Sequence, residues 1–165
     1  MKLAPLASLV ALSIAAACSA TPEFGSPSEF GNAGQAAPQA IIAHKSTLGF
    51  EETVDKLRSA IEARPLTLFA EIDHAKGARD AGLTLSPSTL FIFGNPSVGA
   101  PLMQANPALG IELPMKILVV DTGSGVQLIR QDIPSVLRQY AVSPTDVPVD
   151  KIEETLIAIT TEASR

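Results

Sequence analysis

The stretch "GFEETVDKLRSAIEARPLTLFAEI" changes its period halfway along, and that change limits the folds open to this chain. Phe50, Val54, Leu57 and Ile61 recur at helical spacing with charges between them, which predicts an amphipathic helix. Pro65 stops it, because proline lacks an N–H and crowds the preceding turn. From Leu66 to Ile72 the period becomes two, which predicts a strand with Leu68, Ala70 and Ile72 on one face and Thr67, Phe69 and Glu71 on the other. A helix running straight into a half-buried strand needs a helix-on-sheet layer to bury both stripes.

The rest of the chain extends that layer. "AIIAHKST" reads as a first strand and "STLFIFG" as a third, while "DHAKGARDAGLTLSP" between strands reads as a loop with room for one helical turn. "MKILVVD" and "VQLIRQD" are two further strands joined by "TGSG", a glycine-containing link of hairpin length. Pro134 and "SVLRQYAV" begin a short helical piece, and a last helix starts near Val149 or Asp150 with Ile152, Leu156 and Ile159 as its apolar stripe. The order strand, helix, four strands, helix is that of an α+β domain with a mainly antiparallel sheet and helices on one face. With 165 residues, 46% of them apolar, the chain supports one such core and hardly two.

The N-terminus has a different character. Met1 and Lys2 precede "LAPLASLVALSIAAA", an uncharged run ending at Ala17, and then Cys18. A basic start, an apolar stretch short for a bilayer and small residues at its end make a signal-peptide layout over residues 1–17. "AAAC" resembles a bacterial lipoprotein cleavage box, although Ala15 stands where leucine is usual. Cys18 is the single cysteine, so no intrachain disulfide can form, and its place suits lipidation. Residues 18–39, rich in Ser, Pro, Gly and Ala, read as a flexible tether with an r.m.s. span of about 25 Å. The expectation is an exported domain, residues 40–165, held on the periplasmic side of a cell envelope, or secreted if Cys18 carries no lipid.

Charge narrows the partners. Seventeen acidic against twelve basic residues, with no Lys/Arg cluster, argue against nucleic acid. One tyrosine and no tryptophan leave little for base stacking or cation cages. The expected partners are a membrane through Cys18, an unidentified small ligand, and a second copy through the sheet or its edge strands.

"FGNPSVGAPLM", Phe93 to Met103, tests the nucleotide alternative. Gly94 and Gly99 have P-loop spacing, but Ala100 and Pro101 stand where a P-loop needs Lys and Ser or Thr. Pro96 and Pro101 also remove N–H donors from the cradle. Nucleotide binding is rejected, and the stretch reads instead as a turn from strand into a short helical cap, with Gly94 and Gly99 supplying backbone freedom.

The run Leu68 to Asp121 is similar to the bacterial and archaeal family known as domain of unknown function 302. The resemblance rests on Ile72-Asp73-His74, Pro87, Phe93-Gly94-Asn95-Pro96, Gly99, Pro101-Leu102-Met103, Pro107 and Leu113-Pro114. With the helix before it and the hairpin after it, it covers roughly residues 40–140. Ala100 replaces a common Thr and Pro65 a frequent Gly. The resemblance implies a TATA-binding-protein-like α+β fold and no reaction; a shared fold does not carry DNA binding with it.

The candidate ligand-binding residues are Asp73, His74, Asn95, Met103, Gln104 and Lys116. Asp73-His74 follows one strand and Asn95-Pro96 the next, so neighbouring strand ends are expected to bring His74 and Asn95 together beneath the Pro101 turn. His74 can then serve as a general base, a metal ligand or a hydrogen-bonding post. As a base it would work with Asn95 or Lys116 polarising a substrate, which makes a small enzyme the main alternative to a non-enzymatic binding or sensing module. A copper or haem site would draw on His74, Asp73, His44 and Met103. Their spacing matches no ligand pattern, so no metal or cofactor is assigned. Neither Ser86 nor Ser97 sits in a nucleophile elbow, and Glu51 and Glu52 suit a helix start better than catalysis.

Overall fold

The computed structural model describes residues 41–143 and 148–165. The expected leader 1–17, Cys18 and the tether 18–39 lie outside the described residues. In chain order the elements are β1 (Ile41–Lys45), α1 (Phe50–Glu62), β2 (Thr67–Asp73), α2 (His74–Asp80), β3 (Ser88–Gly94), α3 (Pro96–Ala105), a 3-10 turn (Pro107–Ile111), β4 (Met115–Asp121), β5 (Val126–Gln131), α4 (Ile133–Gln139) and α5 (Val149–Ala163). The strands form one antiparallel sheet in the order β1-β5-β4-β3-β2, with β4 at its centre. This is the α+β arrangement expected. The loop with room for one helical turn is the seven-residue helix α2, too short to show a period in sequence, and the short helical cap expected after β3 is a ten-residue helix, α3, with Pro101 inside it.

Helix α1 forms where the charged stripe and the apolar stripe separate. Gly49 caps it with an extended backbone, and its carbonyl accepts both the N–H and the hydroxyl of Thr53, at 3.0 and 2.8 Å. Glu51 and Glu52 occupy the first turn, where the helix dipole favours them. Val54, Leu57 and Ile61 are buried, and Phe50 packs on the core from its edge. Helices α1 and α5 pack on each other and contribute to the same core. Beneath them Phe91, Phe93, Ile117, Val119 and Leu128 are buried on the facing side of β3, β4 and β5.

Strand β2 departs from simple alternation. Leu68 pairs with Phe93 but Ala70 pairs with Ile92, so the register shifts at Phe69. One extra residue in a strand reverses which face each later side chain takes. Leu68 therefore lies on the helix side while Ala70 and Ile72 lie on the opposite side, and the expected common face of Leu68, Ala70 and Ile72 is corrected. The shift brings Glu71 to the helix side, where its carboxylate accepts two hydrogen bonds from Arg58 of α1 at 2.7 and 3.0 Å. That same guanidinium lies 6.0 Å from the Phe91 ring centroid.

The glycines differ from expectation too. Gly94 and Gly99 do not have positive φ, and an added Cβ at either meets only ordinary contacts. Among the described residues the backbone freedom is used after α2, at Gly82 (φ 75°), and in the β4–β5 hairpin, at Gly123 (φ 77°) and Gly125 (φ 132°).

Among the described residues one ion pair is set into the core. Arg130 follows Val126 and Leu128 at strand period, so its side chain enters the helix side of β5 and is only 5% exposed. Glu153 of α5 receives it in a fork, Nη2 to Oε2 at 2.9 Å and Nη1 to Oε1 at 3.2 Å. Glu153 Oε1 also accepts the Ile133 N–H, an otherwise unpaired donor at the start of α4, at 3.1 Å. Removing one partner of such a pair strands the other charge. Glu153→Gln should cost about 3 kcal/mol in urea unfolding, and replacing both partners by Met should cost less than either single change.

Candidate functional site

Antiparallel pairing decides which candidate residues can meet. Asp73, at the end of β2, pairs with Thr89 near the start of β3, whereas Asn95 follows Gly94, the partner of Thr67. His74 and Asn95 thus stand at opposite ends of the sheet, roughly 20 Å apart along a seven-residue strand. The expected convergence beneath the Pro101 turn is corrected: consecutive antiparallel strands finish at opposite ends of the sheet. A base at His74 working with Asn95 or Lys116 has no common place to act.

Asp73 caps α2 instead, its Oδ1 accepting the Lys76 N–H at 2.7 Å while Oδ2 stands 3.7 Å from Arg79. His74 is the exposed first residue of that helix. His44 lies on β1, the edge strand farthest from β2, and Met103 lies on α3 at the far end of the sheet. The four residues considered for copper or haem are therefore dispersed. Among the described residues no group of three His, Cys, Asp or Glu could hold a metal ion.

The end of the sheet that holds Asn95 is hollow. A cleft of about 490 Å³ opens between the turn after α1, the end of β3 and the first half of α5. Leu66, Phe93, Val98, Met115 and Leu156 give it an apolar lining, and Arg64, Lys151 and Glu154 stand on its charged rim. A second cavity of about 240 Å³ lies beside it, with Phe69 and Met103 among its walls. Gly94, Asn95 and Met115 line both.

Asn95 is the post of that shared wall. Its Oδ1 accepts the Ser97 N–H at 2.9 Å, which caps α3, and its Nδ2 donates to the Pro65 carbonyl at 3.1 Å. One amide thereby ties the end of β3 to the end of the α1–β2 turn and opens α3 over the cleft. Of the six candidates, Asn95 and Met103 share a cavity. Lys116 lies nearby on β4 but turns its ammonium to the Glu112 carbonyl at 2.7 Å, and Gln104 is exposed on α3. Asp73 and His74 line neither cavity.

A polar cluster beside this region has no precedent in the sequence reading. Glu112 accepts from Gln131 at 2.6 Å and from the Tyr140 hydroxyl at 3.0 Å, and the Tyr140 carbonyl accepts from Asn106 at 2.9 Å. The hydrogen bond to Glu112 raises the Tyr140 pKa, with desolvation adding to it. Burial lowers the Lys116 pKa, partly opposed by the Glu112 charge. The signals were a lone acid in the apolar run "GIELP" and the chain's only tyrosine, but 28 residues separate them and no spacing rule joins them. Arg64, Lys151 and Glu154 were missed for a similar reason, since ordinary surface charges become a rim only when α5 packs beside the α1–β2 turn.

Residues 42–163 match the family described as Domain of unknown function DUF302. The chain is similar to "Fluoride-specific ion channel FluC 1" of Brucella suis, 33% identical over 99 residues that make up 60% of this chain and 39% of that protein. FluC 1 of Brucella abortus and FluC 2 of Brucella melitensis show the same 33% over 99 residues, 60% of this chain and 37% of theirs. The chain spans about two fifths of the length of these curated relatives. A crystal structure of an uncharacterized conserved DUF302 protein from Bacillus stearothermophilus has a similar fold, with a TM-score of 0.68. It is 17% identical in sequence and covers 78% of this chain and 100% of its own. Among the described residues no helix is long and apolar enough to cross a membrane.

The single tyrosine makes the Glu112 cluster measurable. Near-ultraviolet titration of the folded protein should place Tyr140 ionisation above the ordinary phenol value, and Glu112→Gln should lower it. The sign follows from linkage: the neutral phenol's contribution to stability is full below the ordinary value and is lost as pH climbs through the raised one.

Proposed function

The chain belongs to the DUF302 family, and within it we propose a non-enzymatic module that binds or senses a small ligand in the cleft beside Asn95. One observation carries the reading: a cleft of about 490 Å³, large enough for a small organic molecule, has an apolar lining and a few charges at its rim. Arg64 reaches Glu162 at 2.9 Å and so is already engaged, which leaves Lys151 as the cation best suited to a ligand's head group. The chemistry favoured is an apolar or aromatic body carrying one anionic group.

We also propose that the domain is exported and tethered to a membrane through lipid on Cys18. Residues 1–18 support this by their layout, and the Brucella relatives, named for an ion channel, support a place beside a membrane. The reading takes no ion conduction from them. Radiolabelled palmitate should enter the wild-type chain in a globomycin-sensitive way and not enter Cys18→Ala; an unlabelled wild type would refute the anchor.

The cleft can be probed with anilinonaphthalene sulfonate, which pairs fused rings with an anion. The expected result is saturable binding of one probe per chain. Ala158→Phe should weaken it at least about tenfold by filling the cleft, and Lys151→Glu should weaken it by repelling the sulfonate. Both residues are exposed on α5, so the fold should survive. Affinity unchanged in both variants would overturn the assignment.

A further inference from the structure

We propose that the sheet face turned away from α1 and α5 is an interface between two copies of this chain, packed sheet on sheet about a two-fold axis near Leu118. The register defines that face. Ala43, Ile72, Leu90, Ile92, Leu118 and Ile129 share it, one or two from each of the five strands. None belongs to the hydrophobic core or packs against it. Ile72 is 40% exposed, whereas Phe91, Ile117 and Leu128 on the helix side are fully buried.

Three observations favour a second copy as the occupant. The first is size: five strands about 4.8 Å apart and about 20 Å long give a footprint of roughly 500 Å². Side-chain relief raises its accessible area toward the roughly 600–800 Å² per partner that stable dimers bury. The second is charge. No acidic residue takes a strand position on this face, and its two lysines, Lys45 and Lys116, lie toward opposite ends of the sheet. Lys116 turns its ammonium to the Glu112 carbonyl, so the centre is apolar and matches another apolar centre rather than a charged partner. The third is shape: a two-fold copy carries the same twist, and two sheets of equal twist pack aligned at about 30° with side chains interleaved. Leu118, the middle residue of the central strand β4, falls at the middle of that face.

The test is sedimentation equilibrium of the full chain carrying Cys18→Ala, so that no lipid contributes to association. A dimer is expected, and Leu118→Lys should shift it to monomer with a dissociation constant raised at least about a hundredfold. Ile72→Lys, at an exposed edge position, should weaken the dimer with little effect on folding, and circular dichroism would confirm that both variants fold. Ile157→Lys, on the exposed face of α5, should leave the dimer intact. A parent chain that stays monomeric across the concentration range would overturn the proposal, whether another protein or residues 1–40 of this chain cover the face. A dimer insensitive to both sheet substitutions would overturn it too. Neither outcome bears on the cleft, because anilinonaphthalene sulfonate binding and its response to Ala158→Phe are measured separately.

Discussion

The bond between Arg130 and Glu153 holds the layers of this domain in register. A guanidinium enters the interior of β5 because strand parity gives it no other side to take. Once inside, it needs a carboxylate with matching geometry, and Glu153 is presented by the second turn of α5. The same carboxylate accepts the first N–H of α4, so strand, short helix and closing helix share one anchoring group. The position of α5 over the sheet end follows from that anchor, and so does the far wall of the cleft. A buried pair of this kind fixes arrangement more than it adds net stability.

Periodicity made most of this architecture readable. Val54, Leu57 and Ile61 on α1, and Ile152, Leu156 and Ile159 on α5, lie buried where helical spacing put them, because an apolar stripe has one favourable direction to face. The strands of the β4–β5 hairpin were equally plain. What escaped was local: α2 is too short to have a period, and Phe69 looks like any strand residue until its partner strand shows that one position is extra. The face turned away from α1 and α5 follows the same logic, since alternation tells which residues share a face but not what covers it.

The candidate site was legible only in part. Asn95 and Met103 do meet at a cavity, and they lie in the glycine- and proline-rich segment the sequence singled out. His74 drew attention as the better proton carrier, yet neighbouring antiparallel strands deliver their C-terminal residues to opposite ends. Chain order thus says nothing about convergence until pairing direction is known. The rim of Arg64, Lys151 and Glu154 had no signature, because charges on separate helices become neighbours through packing alone.

The extra residue in β2 makes this edge unusually sensitive to length. With Phe69 present, everything beyond it is inverted relative to Leu68, so Glu71 reaches Arg58 and Ile72 faces outward. Excising that one phenylalanine would trade the two sides: an isoleucine would slide under α1, and a carboxylate would be planted among the aliphatics of the face turned away from it. Substitution at this position changes a side chain; deletion rewrites the polarity of both surfaces of the strand.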